Sequence, residues 1–155
     1  MTNTNYLQIL IHILLIIFLI ICSIKDIRTR TISLKCSIFF GMAISLISII
    51  ASISSLTDIL LSLIPGLCII FIGFISHQAI GYGDGIVVLI IGLSIGLKDT
   101  LMCCLLAFFL AAIISVVLIL KQHSKKDALP FVPFLSGSYL IIILQKIMEV
   151  IWKLL

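Results

Sequence analysis

Residues 79–87 read AIGYGDGIV, three glycines, a tyrosine and a carboxylic acid in the middle of a chain that is 63% hydrophobic and only 10% charged. An ionised acid near the centre of a bilayer costs about 2.5 to 3.5 kcal/mol on insertion scales, so Asp84 needs a reason to be there. The solvent has to be settled first. With so few charges and a mean hydropathy of +1.43, 155 residues cannot form a globule with a charged skin. The composition implies an all-α membrane protein, a polytopic bundle of about six transmembrane helices.

A span needs roughly 20 mostly apolar residues to cross about 30 Å of hydrocarbon. The chain offers six such stretches, Tyr6 to Ile24, Cys36 to Ser54, Ile59 to Ser76, about Ile80 to Leu97, Thr100 to Leu120 and Phe134 to Trp152. They use most of the length, so residues 1–155 are expected to form a single transmembrane domain. The first span lacks a basic leading region and a small-x-small cleavage site, and is expected to be retained.

Lys and Arg are held on the cytoplasmic side during insertion. Lys25, Arg28, Arg30 and Lys35 follow the first span and Lys121, Lys125 and Lys126 the fifth, against Lys98 and Lys153 on the other side and Lys146 inside the last span. Six spans therefore place both termini outside and the GYGD loop at the cytoplasmic face. The net charge of +4 is accounted for by topology with some contact to anionic lipid, and implies no nucleic acid.

Cys22, Cys36, Cys68, Cys103 and Cys104 show no CxxC or Cys/His ligand spacing, so neither metal nor disulfide is expected. His12, His77 and His123 read as helix-contact or interfacial residues, His77 alone being close enough to Asp84 to line the same cavity. Of the six acids, Asp58, Asp99 and Glu149 fall in or near outer connections and Asp127 in a basic loop. Asp26 and Asp84 remain. Taken alone, Asp26 reads as an interfacial carboxylate paired with Lys25 or Arg28. From Ile86 to Leu97 a helix reaches only about 18 Å, so GYGD is expected to be partly non-helical backbone at membrane depth, lining a wet cavity. The topology brings Asp26 to the same face. Two carboxylates at close range share a proton, one activating water while the other polarises a carbonyl. Gly81, Gly83 and Gly85 would let an extended substrate backbone approach.

Gly81-Tyr82-Gly83-Asp84 resembles the GxGD motif of intramembrane-type aspartyl proteases, and the surrounding chain is similar to the type IV prepilin peptidase family. In that family a first aspartate ends a transmembrane helix and is followed six residues later by isoleucine, as Asp26 is by Ile32. A proline-phenylalanine-x-proline-phenylalanine stretch comes late, as Pro130-Phe131-Val132-Pro133-Phe134 does here. The resemblance implies catalytic Asp26 and Asp84, an active-site loop at Pro130 and Pro133, no metal or organic cofactor, and a prepilin or pseudopilin substrate cut after its short basic leader. Ser33 departs from the usual proline, and Gly85-Ile86 from the usual valine-lysine, which bears on substrate preference. The paired CxxC motifs of larger members, associated with methylating the new amino terminus, are missing, so a peptidase-only form is expected. Presenilin-like enzymes place a tyrosine before the first aspartate, whereas Lys25 precedes Asp26. The alternatives are a small transporter or channel subunit with Asp84 carrying a proton or ion, and a structural membrane protein packed through Gly92-x-x-x-Gly96.

Overall fold

The computed structural model describes residues 3–50, 55–76, 81–121 and 129–154. His77, His123, Lys125, Lys126 and Asp127 lie outside the described residues. All regular structure among the described residues is helical: α1 (Asn3–Thr29), α2 (Leu34–Ile50), α3 (Leu56–Ile75), α4 (Tyr82–Leu120) and α5 (Val132–Leu154). Helices satisfy this composition because hydrocarbon offers no partner to backbone amides, so each segment must bond its own.

The ends of these helices are set locally. Arg30 adopts φ 52° and its N–H closes on the Asp26 carbonyl at 2.9 Å, a left-handed stop to α1 of the kind usually given to glycine. At α3 the Ser55 hydroxyl accepts from the Asp58 N–H while the Asp58 carboxylate accepts from the Ser55 N–H, a reciprocal capping box. Asp58 is thereby a helix cap.

α4 has 39 residues and as a straight helix would reach about 58 Å, roughly twice the hydrocarbon thickness. It is broken at Gly96, where φ 80° and ψ 173° are accessible to little but glycine. α5 begins beside Asp26, whose carboxylate meets Val132. Down α5, Phe131 stacks on Phe108, the Leu135 carbonyl meets Cys103 and Lys146 pairs with Asp99. The piece 97–120 thus returns toward the end where 82–95 began.

About six spans were expected. Among the described residues four helices are long and apolar enough to cross a membrane, Tyr6–Thr29, Leu56–Ile75, Tyr82–Leu120 and Val132–Glu149, and the apolar α2 is shorter. The predicted fourth and fifth spans are the two pieces of α4, 82–95 and 97–120, which meet at Gly96 with no loop between them. The polytopic all-α class holds.

α3 packs against α4, α5 against α1 and α4, and α1 and α2 against each other and α4. The α3–α4 seam is made of missing side chains. A Cβ at Gly92 would lie 2.1 Å from the Ser62 carbonyl oxygen, one at Gly85 2.4 Å from Ile70, and one at Gly66 2.6 Å from Leu89. Small residues let backbones approach where no hydrophobic force drives helices together. Of the pair Gly92 and Gly96, only Gly92 packs helices; nothing lies within 4 Å of a Cβ at Gly96. Leu15, Phe18, Ile44, Ile91, Leu135 and Tyr139 form the interior, while Phe39, Met42, Phe74 and Trp152 stand exposed on the outside, as befits a protein whose solvent is lipid.

Candidate active site

Asp26 sits in the last turn of α1 and is buried, at 6% exposure. Its Oδ2 accepts the Val132 N–H at 3.1 Å, and the Phe131 amide is directed at the same carboxylate. The local sequence explains this arrangement. In Pro130-Phe131-Val132-Pro133 the two prolines have no N–H, so Phe131 and Val132 supply the only amides of the stretch, and that of Val132 bonds Asp26. Val132 opens α5, where backbone N–H groups have no intrahelical partner and a carboxylate is favoured by the helix dipole. Asp26 is therefore an N-cap delivered from another helix. The Phe131 carbonyl accepts from Phe134 and Leu135, and its ring, 4.8 Å from that of Phe108, ties the loop to α4.

Asp84 occupies the first turn of α4 and is half-buried. Gly81, at φ −66° and ψ 133°, is the N-cap and has no side chain to offer. The Asp84 carboxylate lies beside Gly81, and the Asp84 N–H donates to the Gly81 carbonyl at 3.0 Å. The expected non-helical GYGD is corrected accordingly. Only Gly81 is extended, and Tyr82, Gly83 and Asp84 are already helix. Residues three or four apart share a helix face, so Asp84 lies on the face of Val88 and Ile91, which is buried and turned away from the glycines that meet α3.

The two carboxylates lie within electrostatic reach of each other, although 58 residues (84 − 26) separate them in sequence. The Ile32 side chain lies against Gly83, where a Cβ would come within 2.7 Å of it, so the loop after Asp26 is seated on the turn that carries Asp84. Pairing of Asp26 with Lys25 or Arg28 is not found: both cations are exposed, and the ion pair among the described residues is Lys146 with Asp99. The site is thus two acids at helix N-termini, Asp26 held by the Val132 amide with the charge of Arg30 acting on it, and among the described residues no ion pair includes either acid. Such a pair can hold one proton between two oxygens and pass it to and from a water and a carbonyl.

The other expected loop residues divide. Gly81 is exposed beside Asp84, whereas Gly83 is filled by Ile32 and Gly85 by α3. Pro130 and Pro133 flank Val132, whose amide binds Asp26. Three polar pairs went unread. His12 Nδ1 and Tyr139 Oη are 2.8 Å apart, Ser23 donates to Ser136 at 3.1 Å, and Lys146 meets Asp99. A cation inside a span was signal enough to look for a carboxylate partner; the serine and histidine contacts depend on which faces of α1 and α5 meet. Among the described residues no group of three His, Cys, Asp or Glu is placed to hold a metal ion, and all five cysteines are free.

A family model described as the type IV leader peptidase family matches residues 13–116. The matched stretch includes Asp26 and Asp84 and stops short of Pro130. Neither a curated protein nor a solved structure matches the chain.

Proposed function

The chain belongs to the type IV leader peptidase family, which makes it a leader-peptidase-like protease, and on that premise we propose that it is an aspartic endopeptidase whose reacting groups are Asp26 and Asp84. The observation that carries the reading is the pair itself, two acids from α1 and α4 within electrostatic reach of each other, Asp26 held by the Val132 amide and neither in an ion pair among the described residues. With one proton between them, the ionised carboxylate takes a proton from water as its oxygen attacks the scissile carbonyl carbon, and the protonated one gives its proton to the carbonyl oxygen. The tetrahedral adduct collapses by breaking the C–N bond, the amine leaving with a proton returned by the pair. Gly81 lies exposed beside Asp84, where an extended peptide can approach the carboxylates.

The substrate is a prepilin or pseudopilin, cut after its short basic leader at the cytoplasmic face, and the bilayer is the other partner. Charge supports that orientation: Lys25, Arg28, Arg30 and Lys35 cluster in sequence around Asp26, and basic residues are retained inside. Both termini then lie outside. The product keeps an unmethylated amino terminus, since the chain has no CxxC pair.

Co-expression with a prepilin in a host lacking its own leader peptidase tests the reading by gel mobility and by mass spectrometry of the mature end. Cleavage is expected with the natural chain and is expected to disappear with Asp26→Asn and with Asp84→Asn. Normal cleavage by either variant would overturn the paired-aspartate assignment.

A further inference from the structure

One buried polar atom stands apart from every other. The Ser37 hydroxyl, on a residue only 2% exposed, has no hydrogen-bond partner among the described residues. Helical serines in hydrocarbon ordinarily satisfy themselves by donating to a carbonyl three or four residues earlier, and this chain does so repeatedly. Ser62 donates to the Ile59 carbonyl at 2.7 Å and Ser138 to the Phe134 carbonyl at 2.8 Å, both from positions as buried as Ser37. Ser94 and Ser45 do likewise. The equivalent carbonyl exists for Ser37, since the Ser33 oxygen accepts the Ser37 N–H at 3.0 Å, yet the hydroxyl is turned away from it. An unmade bond at a buried hydroxyl costs about 1 to 3 kcal/mol, and each such group calls for an explanation.

Its position supplies one. Gly41 lies against Ile90, and Gly83 against Ile32, so α2 runs alongside the first piece of α4 in the same direction. Ser37, one turn before Gly41, is level with Ile86, one turn before Ile90 and just beyond Asp84. On the other side Phe40 stacks on Phe18 and Cys36 comes close to Cys22, which is one turn from Asp26. Ser37 shares its face of α2 with the buried Ile44 and Ser48, so the hydroxyl is inside the bundle, beneath the carboxylates. Neither carboxylate bonds it directly, which leaves one bridging water as the polar link between them.

We propose that Ser37 is a positioning residue of the aspartate pair, its hydroxyl holding one buried water beneath the two carboxylates and through it orienting Asp84. The proposal rests on the reading of Asp26 and Asp84 as the reacting pair.

The test uses the full chain in membranes. Ser37→Ala is expected to lower kcat about tenfold, the worth of one hydrogen bond to a charged group, with KM within about twofold and one limb of the kcat pH profile displaced. Ser37→Thr, which keeps the hydroxyl, is expected to restore both. Wild-type kcat in Ser37→Ala, or a loss that Ser37→Thr does not recover, overturns the proposal. If Ser37→Ala does not accumulate in the membrane, Ser37→Val, which has threonine's shape without its hydroxyl, takes its place beside Ser37→Thr, and equal kcat in those two overturns the proposal. A second measurement needs no substrate: the infrared carboxyl band that Asp84→Asn abolishes is titrated with pH in wild type and in Ser37→Ala. A displaced titration supports the link even if no prepilin is ever cleaved, an outcome that would sink the peptidase reading alone; an unmoved titration overturns the link even in an active enzyme.

Discussion

The two ends of the bundle handle a carboxylate in opposite ways. At one end Asp99 meets Lys146, near a polar cavity of about 270 Å³ lined by Gln8, His12, Ser48, Ser94 and Gly96. At the other end Asp26 and Asp84 meet backbone amides and each other. A cation neutralises an acid and takes it out of proton chemistry, whereas an amide holds a carboxylate in place while leaving its second oxygen able to exchange a proton. Where charge is cancelled the site is structural; where charge is held without being cancelled it is available for chemistry.

The contrast is most easily broken by removing the acids themselves. Asp26→Asn and Asp84→Asn are each expected to lower cleavage by about 10²- to 10⁴-fold, the range for a lost acid or base, with membrane content unchanged on immunoblot. Asp99→Asn is expected to cleave at the wild-type rate. Equal losses at both ends would erase the distinction.

Removing the amide is the next largest effect. Val132→Pro deletes the donor to Asp26 at a position where proline suits the first turn of a helix, and Phe131 before it occupies the cap, where extended backbone is normal. A hydrogen bond to a charged group is worth about 1.5 to 3 kcal/mol, so kcat is expected to fall about 10- to 100-fold with little change in the melting temperature. A fall in stability matching that in activity would show the amides to be packing alone.

Between the ends, the glycine seam sets helix spacing. Gly92→Ala drives a methyl group against the Ser62 carbonyl and is expected to destabilise by about 1 to 3 kcal/mol, read by thermal unfolding. Gly137→Ala, with nothing within 4 Å of the added carbon, is expected to be neutral or slightly stabilising.

The smallest effect is expected at the cancelled charge. Lys146 is 52% exposed and Asp99 23%, and exposed pairs contribute about 1 kcal/mol or less. Lys146→Gln is expected to melt close to wild type and to cleave normally. A loss of cleavage there would show the two ends to be coupled through the returning piece of α4.

Composition sufficed for the solvent and the class, because a chain with this few charges has no other way to hide its apolar surface. Six helical stretches could be read from hydropathy, but not that 82–95 and 97–120 meet at Gly96 with no loop between them: a window of apolar residues does not reveal a backbone angle of φ 80°. Asp84 was legible as an acid without a local excuse and Asp26 only beside it, and their motif spacing pointed to a family that the match to residues 13–116 now shows. The partners of those acids were not legible. Val132 reaches Asp26 across more than a hundred residues of chain, and its N–H is a backbone group that every residue but proline possesses, so no letter of the sequence marks it. Gly83 and Gly85 looked like room for a substrate and are occupied by Ile32 and α3, since a missing side chain declares space without saying which neighbour takes it. Ser37 passed as one more small polar residue in a span. A serine's hydroxyl can turn to its own helix or away from it, and which way it turns depends on what the packed bundle puts beside it.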